Sequence, residues 1–171
     1  MPSDGSRLTK DPAARDRAFM RRAIALARKG WGQTAPNPMV GAVVVRDGEI
    51  IGEGYHAKFG ERHAEIAALQ AAGERARGAT VYVSLEPCAH QGKTPPCTDA
   101  LLAAGVRRVV IGARDPNPKA AGGAARLRAA GIEVVTGVEE RRALEADPAF
   151  FFSFGAKRPW ITLKLALTID G

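Results

Sequence analysis

One histidine, one glutamate and two cysteines stand in an order that suits metal binding and proton transfer. His63 and Glu65 are two residues apart, and Cys88 and Cys97 follow, Cys88 directly after Pro87. Imidazole and thiolate groups are ligands that zinc favours, and a catalytic zinc usually takes three protein ligands and leaves one position for water. Zinc lowers the pKa of that water to about 7, and the spare carboxylate of Glu65 can carry its proton. These residues predict a hydrolytic zinc centre.

The order His-x-Glu, then Pro-Cys, then a further Cys, is the known signature of zinc-dependent deaminases, in which the glutamate moves protons and does not bind the metal. Taken singly, a cysteine is more often a small buried hydrophobic residue, and two cysteines can form a disulfide. The complete order favours a catalytic site in which His63, Cys88 and Cys97 bind zinc and Glu65 is the general acid and base.

The segment between the two cysteines is unusually long for this signature. Eight residues separate Cys88 from Cys97, whereas compact zinc deaminases have two. The segment contains His90 and Lys93, so it must loop out beside the metal. An ammonium group there suits an anionic ligand such as a phosphate ester. The alternative is a solvated loop whose polar side chains contact no ligand.

Length and composition are those of an ordinary globular enzyme, because the 171 residues are 46% hydrophobic and 25% charged. The net charge of +7 leaves nucleic-acid binding open, but the basic residues are scattered, and the densest run, Arg15 to Arg22, lies on a helix with an apolar face. We therefore expect no nucleic-acid partner. Both cysteines are assigned to the metal and no signal peptide or membrane span is evident, so we expect a cytoplasmic protein without membrane contact.

Hydrophobic periodicity and turn residues predict alternating helices and strands, with Asp47-Gly48 as the turn of a hairpin. A hairpin followed by strand–helix–strand units implies a mixed sheet between two layers of helices. The predicted helices are Arg15–Lys29, His63–Ala72, Cys97–Ala104, Ala124–Ala130 and one that begins near Val138; the predicted strands are Val40–Arg46, Glu49–Tyr55, Thr80–Leu85, Arg108–Ala113 and Glu133–Thr136.

Several stretches resemble the deaminase half of the bifunctional riboflavin-biosynthesis deaminase/reductases. The most specific runs from Leu85 to Cys97 and reads Leu-Glu-Pro-Cys-Ala-His-Gln-Gly-Lys-Thr-Pro-Pro-Cys. The other stretches are Pro36 to Gly41, Gly54 to His56 with Gly60, His63 to Glu65, and Asp115 to Pro118. The resemblance covers the chain from about Phe19 to its end. It implies an α/β fold, the cytidine-deaminase-like three-layer α/β/α sandwich with a mixed central sheet.

The resemblance also implies a reaction, a zinc site and substrate contacts. The reaction is deamination of 2,5-diamino-6-ribosylamino-4(3H)-pyrimidinone 5′-phosphate to 5-amino-6-(5-phosphoribosylamino)uracil and ammonia. It implies that zinc is held by His63, Cys88 and Cys97 and that Glu65 transfers protons. The positions that match the family's substrate contacts are Asn37, His56, His90, Lys93, Asp115 and Asn117.

The end of the chain differs from the rest, because Arg158 to Gly171 resembles the opening strand of a reductase domain, with Thr168 where serine is usual. We expect a tail at 1–14, a deaminase domain at 15–147, and a linker with the first reductase strand at 148–171. The phenylalanines at 150, 151, 152 and 154 are interpreted as linker packing or an exposed face. NADPH is expected only with a complete reductase domain. An apolar edge around Ile161 to Leu167 predicts a homo-oligomer. The glycine-rich segment Ala121 to Ala124 is one residue shorter than in the family.

Two other functions stay open at this point. One is deamination of another base: free cytosine, free guanine or a tRNA adenosine. The net charge keeps the tRNA possible, and the long cysteine loop argues against it. The other is a structural zinc module without catalysis, which needs a fourth protein ligand. Neither His56 nor His90 has the cysteine-rich surroundings of such a closed site.

Overall fold

The chain folds into one mixed β-sheet with helices on both faces. The computed structural model describes residues 11–90, 95–156, 158–166 and 168. The strands are β1 (Gly41–Arg46), β2 (Glu49–Tyr55), β3 (Thr80–Leu85), β4 (Arg108–Ala113) and β5 (Glu133–Thr136). The helices are α1 (Pro12–Ala27), α2 (Ala64–Ala72), α3 (Cys97–Ala103), α4 (Gly123–Ala129), α5 (Glu140–Ala146) and α6 (Pro148–Gly155), with 3₁₀ turns at Arg28–Gly30 and Gly73–Ala76.

The strand order places four loops at one edge of the sheet. The order is β2-β1-β3-β4-β5, in which β1 is antiparallel to β2 and β3, and β3, β4 and β5 are parallel. The carboxyl ends of β2, β3 and β4 therefore lie at the edge where β1 begins. Loops that follow these three strands, and the loop that precedes β1, meet there.

Strand residues alternate between two cores, which is the pattern that a sheet covered on both faces requires. Val81, Val83, Val109 and Ile111 face a core formed with α2, α3 and α4. Tyr82 and Val110 face a second core formed with α1 and α5. The predicted three-layer α/β/α sandwich is confirmed. Among the described helices, none has the length and apolar character needed to cross a membrane.

Glycine in β2 allows α2 to pack directly against the sheet. A Cβ atom on Gly54 would lie 2.5 Å from both the Ala64 carbonyl oxygen and the Ala68 nitrogen, which is too close for any side chain. The helix backbone therefore rests on the strand at this point. Because α2 begins at Ala64, this contact also fixes the position of His63 and Glu65.

The bounds of the five predicted sheet strands are nearly exact, and the differences lie at helix ends and in the segment after α5. Helix α1 begins at Pro12, three residues before the predicted start, because Asp11 caps it through a bond from the Ala13 N–H. Helix α6 lies in the segment that was expected to be a linker; Asp147 caps it and Pro148 occupies its first turn. Residues 158–166 are exposed and form no strand.

Candidate active site

The three predicted metal ligands lie together at the loop-rich edge of the sheet. His63 precedes α2, Cys88 follows β3, and Cys97 begins α3. The Nδ1 atom of His63 lies 3.1 Å from the Cys97 Sγ and 3.7 Å from the Cys88 Sγ, and the three ligand atoms are all within 4.8 Å of one another. A tetrahedral zinc with bond lengths of about 2.0 Å to nitrogen and 2.3 Å to sulfur separates its ligands by about 3.5–3.8 Å. The cluster therefore fits zinc in donor type and in spacing.

Hydrogen bonding and burial shift the pKa values of the two thiols in opposite directions. Hydrogen bonding with the Cys97 side chain lowers the pKa of Cys88. Hydrogen bonds with His63 and with the Cys97 backbone N–H at 3.3 Å lower it further. The pKa of Cys97 is raised because this thiol keeps the proton shared with Cys88 and is buried. Metal-binding cysteines are thiolates. The site already favours one thiolate, and a divalent cation supplies the positive charge that the second requires.

Glu65 lies beside this cluster in the first turn of α2. The residue is only 3% exposed, yet it contributes to the wall of the pocket in front of the metal ligands. Burial raises the pKa of Glu65, and the nearby charge of His63 offsets that effect only in part. A carboxyl group with a raised pKa at the wall of a pocket is suited to accept and release a proton.

The pocket has a volume of about 340 Å³ and collects most of the predicted site residues. The predicted residues that line it are Asn37, His56, His63, Glu65, Cys88, His90, Asp115 and Asn117. Cys97 completes the metal cluster from a buried position beneath the pocket. Lys93 lies outside the described residues.

His56 fixes the orientation of Asn37 on one wall. The His56 Nδ1 faces the Arg62 carbonyl oxygen at 3.1 Å, so Nδ1 carries the ring hydrogen. The other ring nitrogen then accepts from the Asn37 side-chain amide at 3.4 Å. Burial lowers the pKa of His56, which favours this neutral form. The Asn37 amide oxygen is thereby left as an acceptor for a ligand.

Asp115 and Asn117, which also line the pocket, form two successive turns. The Asp115 carboxylate accepts from the Asn117 N–H at 2.8 Å, and the Asn117 side-chain oxygen accepts from the Lys119 N–H at 3.0 Å. Burial raises the pKa of Asp115. Because its oxygen is used within the turn, the Asn117 amide group is the part of that side chain left to donate to a ligand.

Glu86 is a pocket residue to which sequence reasoning gave no role. Its carboxylate accepts from the Ala124 N–H at 2.9 Å and from the Asp115 N–H at 3.3 Å. One buried side chain therefore joins the end of β3, the start of α4 and the Asp115 turn. Glu86 belongs to the Leu-Glu-Pro-Cys stretch, but its partners are distant in sequence, so the stretch alone does not indicate this bridge.

Two phenylalanines of α6 also line the pocket, Phe150 and Phe154. The sequence interpretation placed them in linker packing or on an exposed face. The Asp147-Pro148 pair is a helix-start signal that could have revealed α6. Nothing in the local sequence shows which surface the helix covers.

Comparison with known proteins places the chain in a family. The profile described as "Cytidine and deoxycytidylate deaminase zinc-binding region" matches residues 13–113, which include the metal cluster and Glu65. Riboflavin biosynthesis protein RibD of Aquifex aeolicus is 55% identical over 157 residues, and that of Escherichia coli is 53% identical over 157 residues. Each match covers 91% of this chain, and they cover 44% and 43% of the respective relatives.

A solved structure shows the same fold. The diaminohydroxyphosphoribosylaminopyrimidine deaminase/5-amino-6-(5-phosphoribosylamino)uracil reductase of Thermotoga maritima superposes with a TM-score of 0.88 at 49% identity. The match covers 94% of this chain and 47% of that one, so the chain spans about half the length of these relatives. The predicted resemblance to the deaminase half of such proteins is confirmed, and the chain belongs to the cytidine and deoxycytidylate deaminase zinc-binding family.

Proposed function

We propose that this chain is a zinc-dependent hydrolase that deaminates 2,5-diamino-6-ribosylamino-4(3H)-pyrimidinone 5′-phosphate. The observation that carries the proposal is the joint placement of a three-ligand cluster and a buried glutamate at one pocket. The RibD relatives and the Thermotoga deaminase/reductase support the choice of substrate class. Hydrolysis replaces the amino group on C2 of the ring by oxygen and releases ammonia.

Zinc would be held by His63, Cys88 and Cys97, and when bound it lowers the pKa of a coordinated water to about 7. Among the described residues the cluster has three members, which fits a catalytic site better than a closed structural one. Both ring nitrogens of the nearby His56 have hydrogen-bond partners of their own, so His56 does not complete a fourth position.

Glu65 is the proton carrier in this proposal. Its carboxylate takes up the proton that the attacking water loses, and returns it to the departing amine nitrogen. Burial raises the pKa of Glu65, so the group holds the proton more readily than an exposed glutamate does. The second proton of that water ends on the adjacent ring nitrogen, so the product has its carbonyl form when ammonia leaves.

The remaining pocket groups orient the substrate. Asn37 offers an acceptor and Asn117 a donor in the same pocket, and Asp115 offers a further acceptor. These groups match the mixed amino and carbonyl edges of a diaminopyrimidinone and the hydroxyls of its ribose. His90, an exposed residue at the pocket, and Lys93 are proposed to contact the phosphate end.

The wider assignments stay part of the proposal: a cytoplasmic location, a homo-oligomeric state, and no nucleic-acid or membrane partner. Two arginines of the basic run on α1 are engaged in ion pairs, Arg21 with Glu139 and Arg22 with Glu53. This pairing supports a solvated helix face over a surface that binds phosphates of nucleic acid.

Ammonia release tests the proposal. The zinc-loaded chain is assayed with the phosphoribosylated pyrimidine, with cytosine, with guanine and with a tRNA that carries the target adenosine, and zinc content is measured on the same preparation. We expect release from the pyrimidine and none from the others. Release from another base alone would overturn the substrate, and a full zinc content without release from any compound would favour a structural module.

A further inference from the structure

Helix α6 forms a wall of the active-site pocket, although it lies outside the 13–113 region that the family profile matches. Phe150 is half-buried and packs against the core beneath α1 and α5. Phe154, one turn later, is 45% exposed and lines the same pocket as Glu65 and Cys88. A large aromatic side chain that stays accessible at the wall of such a pocket is typical of a ligand contact.

A single carboxylate, that of Asp147, ties the start of α6 to the loop that precedes β1. One oxygen of Asp147 accepts from the Met39 backbone N–H at 2.8 Å, and the other accepts from the Phe150 N–H at 3.4 Å as the cap of α6. Met39 follows the Asn37-Pro38 wall directly in sequence. The start of α6 is therefore fixed relative to Asn37, although about 110 residues separate the two in the chain.

The two rings support each other. Phe150 and Phe154 are in edge-to-face contact with centroids 5.2 Å apart, and the half-buried Phe150 supports the ring of Phe154. The contact with Phe150 holds the ring of Phe154 in place by packing before any ligand binds. Several of the other pocket residues are polar and suit the edges of a heterocycle, whereas an aromatic ring suits its face.

We propose that Phe154 is a substrate-binding residue whose ring packs against the pyrimidine of the substrate, with Phe150 and Asp147 as positioning residues. The inference rests on the proposed function, because it names what recognises the flat face of that substrate. It adds a hydrophobic contact from the segment after β5 to a site otherwise built from the loops before β1 and after β2, β3 and β4.

Phe152 provides a matched control on the same helix. Its ring contacts Trp160 with centroids 5.3 Å apart and lies 5.2 Å from the Arg158 guanidinium, and it is not among the residues that line the pocket. Removing either ring takes the same number of atoms from α6. Only Phe154→Ala removes surface from the pocket.

The test compares steady-state deamination by wild type, Phe154→Ala, Phe154→Tyr and Phe152→Ala, with zinc content and melting temperature measured in parallel. We expect Phe154→Ala to raise KM about five- to fiftyfold, the scale of base–aromatic stacking contacts, with a much smaller change in kcat. Phe154→Tyr keeps the ring face and should have a KM close to that of wild type. Phe152→Ala should keep the wild-type KM.

The outcomes separate the two proposals. If wild type turns over the pyrimidine and Phe154→Ala has the KM of Phe152→Ala, the aromatic contact is wrong and the proposed function stands. Equal losses in KM, kcat and zinc content for both alanine variants would show a purely structural helix and also overturn the contact. If wild type releases no ammonia from the pyrimidine, the proposed function fails first, and the contact to that ring fails with it.

Discussion

Asp16 and Glu65 are two buried carboxylates on opposite faces of the sheet, 9% and 3% exposed, and their surroundings differ in kind. Asp16, on α1, accepts from both terminal nitrogens of Arg108 at 2.8 Å and from the Tyr82 hydroxyl at 2.8 Å. Burial raises the pKa of Asp16, but these hydrogen bonds outweigh it and leave the pKa below its ordinary value. This carboxylate stays ionised and its charge is balanced.

Glu65 has no comparable pairing with an arginine among the described residues. Its neighbours are a histidine and two cysteines, and burial leaves its pKa above the ordinary value. Buried groups with perturbed pKa values are concentrated at functional sites, although ion-pair networks perturb them as well. Asp16, whose charge is balanced by Arg108, stabilises the fold. Glu65, which has no such partner in the described part of the chain and lies beside a pocket and a candidate cation site, can exchange a proton.

The largest effect is expected where the cation itself is lost. Cys97→Ser should remove most of the bound zinc and with it turnover and part of the stability, because serine is a poor zinc ligand and metal binding contributes to folding. Zinc analysis, ammonia release and urea unfolding measure the three effects.

The neighbour of Cys97 gives the control for that experiment. Thr98 is fully buried, and its hydroxyl has no hydrogen-bond partner among the described residues. Thr98→Val keeps the shape and removes an unsatisfied polar group, so it should be neutral or stabilising and keep the zinc. Loss of zinc in both variants would mean that the start of α3, and not the thiolate, decides metal binding.

The second effect concerns the balanced carboxylate. Arg108→Met should lower the free energy of unfolding by about 3–5 kcal/mol, because it leaves Asp16 buried without its cation. Zinc content and kcat should stay close to wild type, since Arg108 begins β4 at the end of the strand away from the metal. Denaturant unfolding with zinc analysis measures both.

A variant of Glu133 is the control for the Arg108→Met measurement. It bonds Arg108 at 2.8 Å, but its side chain is 57% exposed. Glu133→Gln should cost less than about 1 kcal/mol, the range of exposed ion pairs. A similar cost for both variants would show that burial of Asp16 is not the reason for the loss.

The smallest expected effect is a pH dependence of stability that comes from Asp16. Its folded-state pKa is lower than its unfolded one, so the stabilisation is fully present above an unfolded pKa of about 4 and is lost as the pH falls through the folded pKa. Wild type should therefore lose more stability than Asp16→Asn between about pH 5 and pH 3. Both proteins bind zinc at the same cluster, so the difference between them cancels acid release of the metal. If the free energy of unfolding falls equally with pH in both proteins, Asp16 does not cause the loss of stability in acid.

The sequence predicts the strands well because they alternate between two cores and because most of them follow closely after a turn glycine such as Gly48, Gly78 or Gly131. β2, β3, β4 and β5 have the predicted bounds. The apolar stripe alone predicts a start of α1 that is three residues late, because the Asp11-Pro12 cap lies before the first apolar position. Helix α6 was missed because four phenylalanines in five residues give no amphipathic period from which a helix can be recognised.

Some residues of the site can also be predicted from the sequence, and others cannot. The clustering of His63, Cys88 and Cys97 beside Glu65 is predictable because zinc chemistry demands particular side chains in a particular order. Glu86 and Asp147 are not, since each works through bonds to backbone groups far along the chain, and any segment offers such groups. Phe154 carries no chemical signature at all. Its place in the pocket follows only from the packing of α6.

One comparison of turnover tests the central claim most directly. Glu65→Gln and Asp16→Asn each replace a buried carboxylate by its amide, and both are assayed for zinc content and ammonia release from the phosphoribosylated pyrimidine. We predict that Glu65→Gln keeps its zinc and loses about 100- to 10,000-fold in kcat, whereas Asp16→Asn keeps a kcat close to wild type. Near-normal turnover in zinc-loaded Glu65→Gln would contradict the assignment of Glu65 as the proton carrier.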